Sequence, residues 1–235
     1  MLGVIVNTIT VLLGSCIGLV AKKAIPKDWS NFIISAMGLC TVYIGISGAF
    51  EGQNTLVAVI SMAIGSVIGL AIDIDRRVNS AVSRFEERFI KSTDENGPTF
   101  AEGFVTTSMI FCVGAMTIVG SLQAGLVGDN TMLITKATMD GFGSIFFAAS
   151  LGFGVMASAL FIFVFQGSLV LMSQFIEPFL SEVVIAEMTC VGSIILVGMA
   201  LNLIGVSKLK IMNYLPAIFM PIVLVPIFEL VGGLF

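Results

Sequence analysis

Apolar residues fall in long runs separated by short polar breaks, at about 2–21, 31–50, 55–72, 104–126, 131–149, 154–175, 184–206 and 212–234. A helix needs ~20 residues to cross a ~30 Å hydrocarbon layer. The pattern therefore predicts an all-α, polytopic transmembrane helix bundle of about eight spans. One junction has no polar loop: the apolar run continues across Leu151-Gly152-Phe153-Gly154. Residues 131–176 are too many for a single crossing, and the paired glycines predict a break there. The only substantial polar segment is 73–103. Its first half, RRVNSAVSRFEERFIK, spaces Val78, Val82, Phe85 and Phe89 at steps of 4, 3 and 4 residues. That is the stripe of a basic amphipathic helix on the cytoplasmic membrane surface. The second half, STDENGPT, reads as a turn that tethers two halves of the chain.

Charge gives this pattern a direction. With eight spans, Lys22, Lys23, Lys27, Arg76, Arg77, Arg84, Arg88, Lys91, Lys208 and Lys210 all lie on one side, and Lys136 alone is left over. Basic loops face the cytoplasm, so both termini are expected outside. The outer face then carries Glu51, Asp129, Glu177, Glu182 and Glu187. Joining the fifth and sixth runs into one span puts Lys208 and Lys210 outside and spoils the asymmetry.

Short segments recur. GQNTL at Gly52 returns as GDNTM at Gly128, and CVGAMTIVG at Cys112 returns as CVGSIILVG at Cys190. VLLGSCIGLVA at Val11 matches MAIGSVIGLAI at Met62 in its Gly, Ser, Ile, Gly and Leu positions. The repeated unit is a glycine-rich helix pair, with GxxxG spacings at Gly14/Gly18 and Gly65/Gly69 that let helix backbones approach closely. Counting spans sets the first three against the last three in inverted orientation, the arrangement of many transporters. The chain divides accordingly into 1–75, an N-terminal three-helix repeat; 76–103, the cytoplasmic helix and linker; 104–153, a central helix pair; and 154–235, a C-terminal three-helix repeat.

Composition excludes the soluble classes. The chain is 57% hydrophobic and 11% charged, with a mean hydropathy of +1.08. That is more apolar surface than 235 residues can bury in water, so lipid is the solvent. No basic patch suggests nucleic acid. There is no histidine, and Cys16, Cys40, Cys112 and Cys190 sit in apolar runs without CxxC spacing, so neither a disulfide framework nor a metal site nor a cofactor is expected. No GxSxG, P-loop or paired carboxylates occur within a span, and no enzymatic activity is expected.

Candidate chemistry centres on GDNTMLITKATMDGFGSIFFAA, residues 128–149. Lys136 and Asp140 are the only opposite charges one helical turn apart in any span. At about 1.5 Å per residue from Thr131, Asp140 lies roughly 13 to 14 Å in, near the bilayer midplane. A charge there costs at least ~2.5 kcal/mol and normally faces protein or a wet cavity. Lys136 is shallower and can snorkel outward. Asn7, Gln123, Ser144, Gln166 and Asn202 are polar positions in other parts of the spans, each able to serve as a simple interhelical hydrogen bond or to line a polar path with Asp140. The last run, NYLPAIFMPIVLVPIFEL, carries Pro216, Pro221 and Pro226. Each proline removes a helical hydrogen bond and frees a carbonyl, so this run must kink or break, and Pro216 joins the pathway residues.

The stretches KATMDGFGSIFFAASLGFGV, SALFIFVFQGSLVL, FCVGAMTIVGSLQAGL and NYLPAIFMPIV resemble the bacterial membrane family known as domain of unknown function 554, the YqgA-like proteins. KxxxDG and the later QG are the most specific parts. The resemblance implies a bacterial inner-membrane protein of a family proposed to transport. It assigns no role to Lys136, Asp140 or Gln166. The expected function is a transporter or channel for a small cation or small polar solute using Asp140. The alternative is a structural or regulatory membrane protein whose helix at 76–91 recruits a partner. Unused small-residue faces suggest a homodimer in the lipid bilayer.

Overall fold

The computed structural model describes residues 1–22, 27–77, 80, 99–112 and 115–232, and every regular element among them is helical. In chain order these are α1 (Leu2–Lys22), α2 (Lys27–Ala49), α3 (Thr55–Ile72), α4 (Phe100–Cys112), α5 (Ala115–Leu126), α6 (Thr131–Leu151), α7 (Gly154–Leu171), α8 (Ser173–Ile176), α9 (Glu182–Ile204) and α10 (Pro221–Gly232). Two 3-10 segments, Glu177–Phe179 and Ile211–Phe219, flank α9. The expected amphipathic helix at 76–91 falls, apart from Arg76, Arg77 and Ser80, outside the described residues.

Five described helices are long and apolar enough to cross a membrane: α1, α2 from Phe32 onward, α3, α7 and α9. Two bent pairs raise the number to seven. One is α4 with α5, bent by 62°, and the other is Ile211–Phe219 with α10, bent by 41°. The helix α6 is 21 residues long, but its own Lys136, Asp140 and threonines make it less apolar than the others.

Breaks fall where backbone chemistry requires them. α6 stops at Leu151 because Gly152 adopts φ 80°, a conformation that favours glycine, and α7 starts two residues later. In the last run, the 3-10 segment containing Pro216 gives way at Met220 to α10, which begins with Pro221, where a missing N–H costs nothing. Of the two CVG copies, the one at Cys190 lies within α9, whereas in the other the described residues are Cys112, the last of α4, and those from Ala115 onward in α5.

Glycines set the helix pairing. A Cβ at Gly14 would strike the carbonyl oxygen of Gly141 and the hydroxyl of Ser144, and one at Gly18 the carbonyl of Ile145. The α1 and α6 backbones therefore nearly touch, running in the same direction. On α2, Gly38 meets Ala200 and Ile204, while Gly48 meets Ser193, so α2 and α9 run in opposite directions. Gly65 and Gly69 of α3 lie against Ala217 and Asn213, again antiparallel. The second GxxxG motif thus seats a 3-10 segment where the first seats an α-helix.

The core has several centres. Val11, Phe111, Phe147, Leu151, Val155 and Ile162 join α1, α4, α6 and α7. Val4, Ala124, Leu133 and Val170 form a smaller cluster among α1, α5, α6 and α7. On the other side, α3, α9 and the last run pack through Ala58, Val191, Ile195, Met199 and Met212. Large apolar side chains such as Tyr43, Phe50, Leu70, Leu160 and Leu171 are exposed, as expected of faces turned to lipid.

Candidate functional site

The start of α6 fixes the start of α1. Asp129 Oδ1 accepts a hydrogen bond from the Thr131 backbone N–H (2.9 Å), and Asn130 Oδ1 accepts one from the Gly3 N–H (2.9 Å). The bonds from Thr131 hold the Asp129 carboxyl below the usual range. From that anchor α1 and α6 descend together. One turn past Gly3, Asn7 reaches the level of Asp140, and the Thr10 hydroxyl donates to the Ala137 carbonyl (2.9 Å).

Four of the expected residues meet here. Asn7 Nδ2 donates to Asp140 Oδ2 (3.0 Å) and to Gln166 Oε1 (3.2 Å), joining α1, α6 and α7. The Lys136 ammonium donates to the same Asp140 Oδ2 and lies 5.9 Å from the centre of the Phe111 ring, within cation–π range. Lys136 and Asp140 are 7% and 6% exposed, and Asn7 and Gln166 are fully buried. The Val4 cluster closes the site on one side and the Val11 cluster on the other.

The bonding is incomplete. Asn7 Oδ1 and Gln166 Nε2 are buried without a hydrogen-bond partner among the described residues, and both described bonds to Asp140 end on Oδ2. Buried polar atoms in proteins are nearly always paired. An unpaired acceptor and an unpaired donor beside a buried carboxylate are what a hydrogen-bonding guest would need.

The other expected residues lie apart from this network. Ser144, one turn further along α6, donates to the Gly141 carbonyl (2.7 Å) and faces Gly14. Gln123 is half-buried on α5, with no described side-chain bond to the network. Asn202 closes the loop after α9: Nδ2 donates to the Leu209 carbonyl (2.8 Å), and Oδ1 accepts from Ser207 (2.7 Å) and the Leu209 N–H (2.8 Å). It also borders a cleft of about 230 Å³ with Asp75, Glu102, Thr106 and Met212, away from Asp140. Pro216 sits in the 3-10 segment that packs on α3.

Glu187, grouped by sequence with the outer-face acids, is fully buried in the second turn of α9, where its Oε1 accepts from the backbone N–H groups of Gln53 and Asn54, each at 2.7 Å, in the loop that carries Glu51, and its Oε2 is buried without a hydrogen-bond partner among the described residues. It therefore supplies negative charge at the N-terminus of α3, a helix with no acidic residue in its first turn. Its sequence signal was its position, three residues inside the apolar run 184–206. All four cysteines are free, and among the described residues no three acidic, cysteine or histidine side chains converge as a metal-holding group.

Relatives extend over almost the whole chain. It is 33% identical over 236 residues to the uncharacterized membrane protein YdfK of Bacillus subtilis (strain 168), covering 99% of both chains. It is 27% identical over 218 residues to the uncharacterized protein YqgA of Escherichia coli (strain K12), covering 92% of this chain and 93% of that one. No solved structure matches it. The apolar helices and the membrane relative together describe a multi-pass membrane protein. With the model of the protein of unknown function family DUF554 matching residues 2–226, the chain belongs to that family.

Proposed function

We propose that the protein carries a small cation or small polar solute across the membrane, and that the solute is held at Asp140. The observation that carries this reading is the pair of unpartnered buried atoms, Asn7 Oδ1 and Gln166 Nε2, in the network that holds the carboxylate. Each unmatched group costs roughly 1–3 kcal/mol. Unpartnered buried oxygens also occur at Ser15, Ser61, Ser108, Ser121 and Glu187; what sets Asn7 Oδ1 and Gln166 Nε2 apart is that an acceptor and a donor lie together beside a carboxylate held by side chains, where a binding site recovers the cost when occupied. Lys136 serves as the resident cation. Its flexible stem lets it withdraw outward when a guest takes its place.

The proposed topology is eight spans, with both termini outside and the basic loops in the cytoplasm, in a bacterial inner membrane. The helix directions support it: α1 runs with α6, whereas α2 opposes α9 and α3 opposes Ile211–Phe219. Alternating crossings with α6 as the fifth span give the same directions. A cysteine introduced at Ser92 in a cysteine-free background should then be shielded from an impermeant thiol reagent in intact cells, while Glu51→Cys labels. The reverse pattern inverts the topology. Assembly as a two-fold homodimer belongs to the same proposal, and native mass spectrometry in lipid nanodiscs should give twice the chain mass.

The deciding experiment is solute flux in proteoliposomes, with an unbiased ion and metabolite screen followed by Asp140→Asn. Loss of flux with melting temperature retained supports transport. A second reading, a purely structural latch, is favoured by the direct contact and near-complete burial of Lys136 and Asp140. It requires Asp140→Asn and Lys136→Met each to destabilise the fold by several kcal/mol and the double variant to recover it.

A further inference from the structure

Four pieces of chain meet at the cleft beside Asn202: the loop after α3, the start of α4, the end of α9 and the run from Leu209 to Met212. Its polar wall is one-sided in chemistry. Asp75 and Glu102 bring carboxylates, Thr106 brings a hydroxyl, and among the described residues no Lys or Arg lines it. Lys208 and Lys210 flank Leu209 but are exposed outside the wall. Asn202 is already spent on Ser207 and Leu209. Thr99 is engaged as well, its Oγ1 accepting from the Glu102 N–H (3.1 Å) at the head of α4. Thr106 is not. It is 3% exposed, and among the described residues its hydroxyl has no hydrogen-bond partner, whereas the adjacent Thr107 hydroxyl donates to the Gly103 carbonyl (2.7 Å). The rest of the wall is apolar, with Val105, Met199, Leu203 and Met212 prominent in it.

We propose that this cleft binds a small organic ammonium ion, with its N–H groups on the Thr106 hydroxyl and the Glu102 carboxylate and its hydrocarbon part against Met199, Leu203 and Met212. Glu102 and Thr106 stand four residues apart on α4, so their side chains are neighbours and one ammonium group reaches both. A carboxylate only accepts hydrogen bonds and a hydroxyl accepts readily, so the matching group carries donors and positive charge. The helix end beside them has the same preference. α9 closes at Asn202 and Leu203, both in the wall, with no basic residue in its last turn to offset its negative pole. The positive pole of α4 lies there too, and Glu102 in its first turn offsets it. A hard metal ion fits poorly, since it takes six or more oxygens and gains nothing from the thioether and aliphatic wall. At about 230 Å³ the cleft is smaller than the ~300–1,000 Å³ of pockets for drug-sized ligands, which sets the guest at a few carbons. The cleft shares no residue with the Asp140 network, and the proposal stands whether or not the protein moves a solute.

The test is a titration of the full chain in nanodiscs, labelled with 13C at the methionine methyl groups, with n-butylammonium chloride as the probe. Met199→Leu and Met212→Leu assign the two methyl signals of the cleft. Both should shift with n-butylammonium and saturate. Neutral n-butanol, which keeps the hydrocarbon and lacks the charge, and tetramethylammonium, which keeps the charge and lacks the N–H donors, should each bind at least about tenfold more weakly. Thr106→Val keeps the shape and removes a hydroxyl that holds nothing in the fold, so the melting temperature should be retained while n-butylammonium binds about fivefold more weakly, the scale of one hydrogen bond. Thr106→Ser should restore the affinity. Glu102→Gln, at an exposed position, should weaken it about tenfold. Asp140→Asn should leave it unchanged, so a failure of the transport reading does not touch this one. Methyl signals that stay fixed or never saturate overturn the site. An equal response to n-butanol, or the same shifts with potassium or magnesium chloride, overturns the ligand class. Unchanged affinity in both Thr106→Val and Glu102→Gln overturns the assigned contacts.

Discussion

Asp140 and Glu187 are both buried carboxylates inside apolar helices, each bonded through one oxygen, yet they are held by different means. Glu187 accepts from two backbone N–H groups at 2.7 Å, which are fixed in place by the turn that starts α3. Asp140 is held by Lys136 and Asn7, two side chains that can rotate or withdraw. A carboxylate bonded to backbone cannot exchange partners without unfolding a helix end, whereas one bonded to side chains can. The difference assigns Glu187 to the fold and makes Asp140 the candidate for chemistry.

The comparison breaks most readily at Glu187. Glu187→Ala removes the acceptor from the part-buried N–H groups of Gln53 and Asn54, and each lost bond to a charged group is worth about 1.5–3 kcal/mol. A stability loss of roughly 3–5 kcal/mol is expected, read as a lowered melting temperature in detergent. Glu187→Gln keeps an acceptor oxygen and should lose about half as much. An unchanged melt for Glu187→Ala removes the structural half of the contrast.

Asp140→Asn should do the opposite, with flux or its pH dependence abolished and stability changed by no more than about 1 kcal/mol, the usual scale for intramembrane polar contacts. Proteoliposome flux and thermal melts on the same preparation give both readings. Retention of full activity towards an identified solute defeats the assignment of this residue.

Lys136→Met is expected to have a smaller effect, a partial loss of flux, because Lys136 tunes its neighbour and lies nearer the helix end. The Lys136–Phe111 contact is lost with it, at a cost of about 1 kcal/mol.

The smallest effect belongs to Asp129, the exposed counterpart of Glu187 at the head of α6. Its folded value lies below the ordinary Asp range, so its stabilisation is complete above that range and fades as pH falls through the lowered value. The gap in melting temperature between the unmodified protein and Asp129→Asn should be present at neutral pH and close in acid. A gap that widens in acid contradicts the sign.

The fold class was legible because lipid imposes a strong rule: only long apolar runs cross it, and such runs stand out in any sequence. The break at Gly152 and the division near Pro221 were legible for a local reason, since glycine and proline act on their own backbone. Asp140 and Lys136 stood out by cost alone. Their partners did not. Asn7 and Gln166 were two among several polar positions, and nothing local separates them from Gln123 or Asn202, because which of them meet depends on how α1 and α7 are rotated against α6.

Sequence by itself determined the solvent, the helical class, the breaks at Gly152 and near Pro221 and the expensive residue at the centre of α6, all consequences of composition and short-range backbone chemistry, but not the 62° bend between α4 and α5 within the run 104–126. Only the tertiary structure decided which glycine face receives which backbone, that Glu187 caps a helix more than 130 residues away in the chain, and that Asn7 links Asp140 to Gln166. Such long-range pairings depend on close packing among several helices at once, and the packing surface of any one run fits several partners equally well until the others are in place.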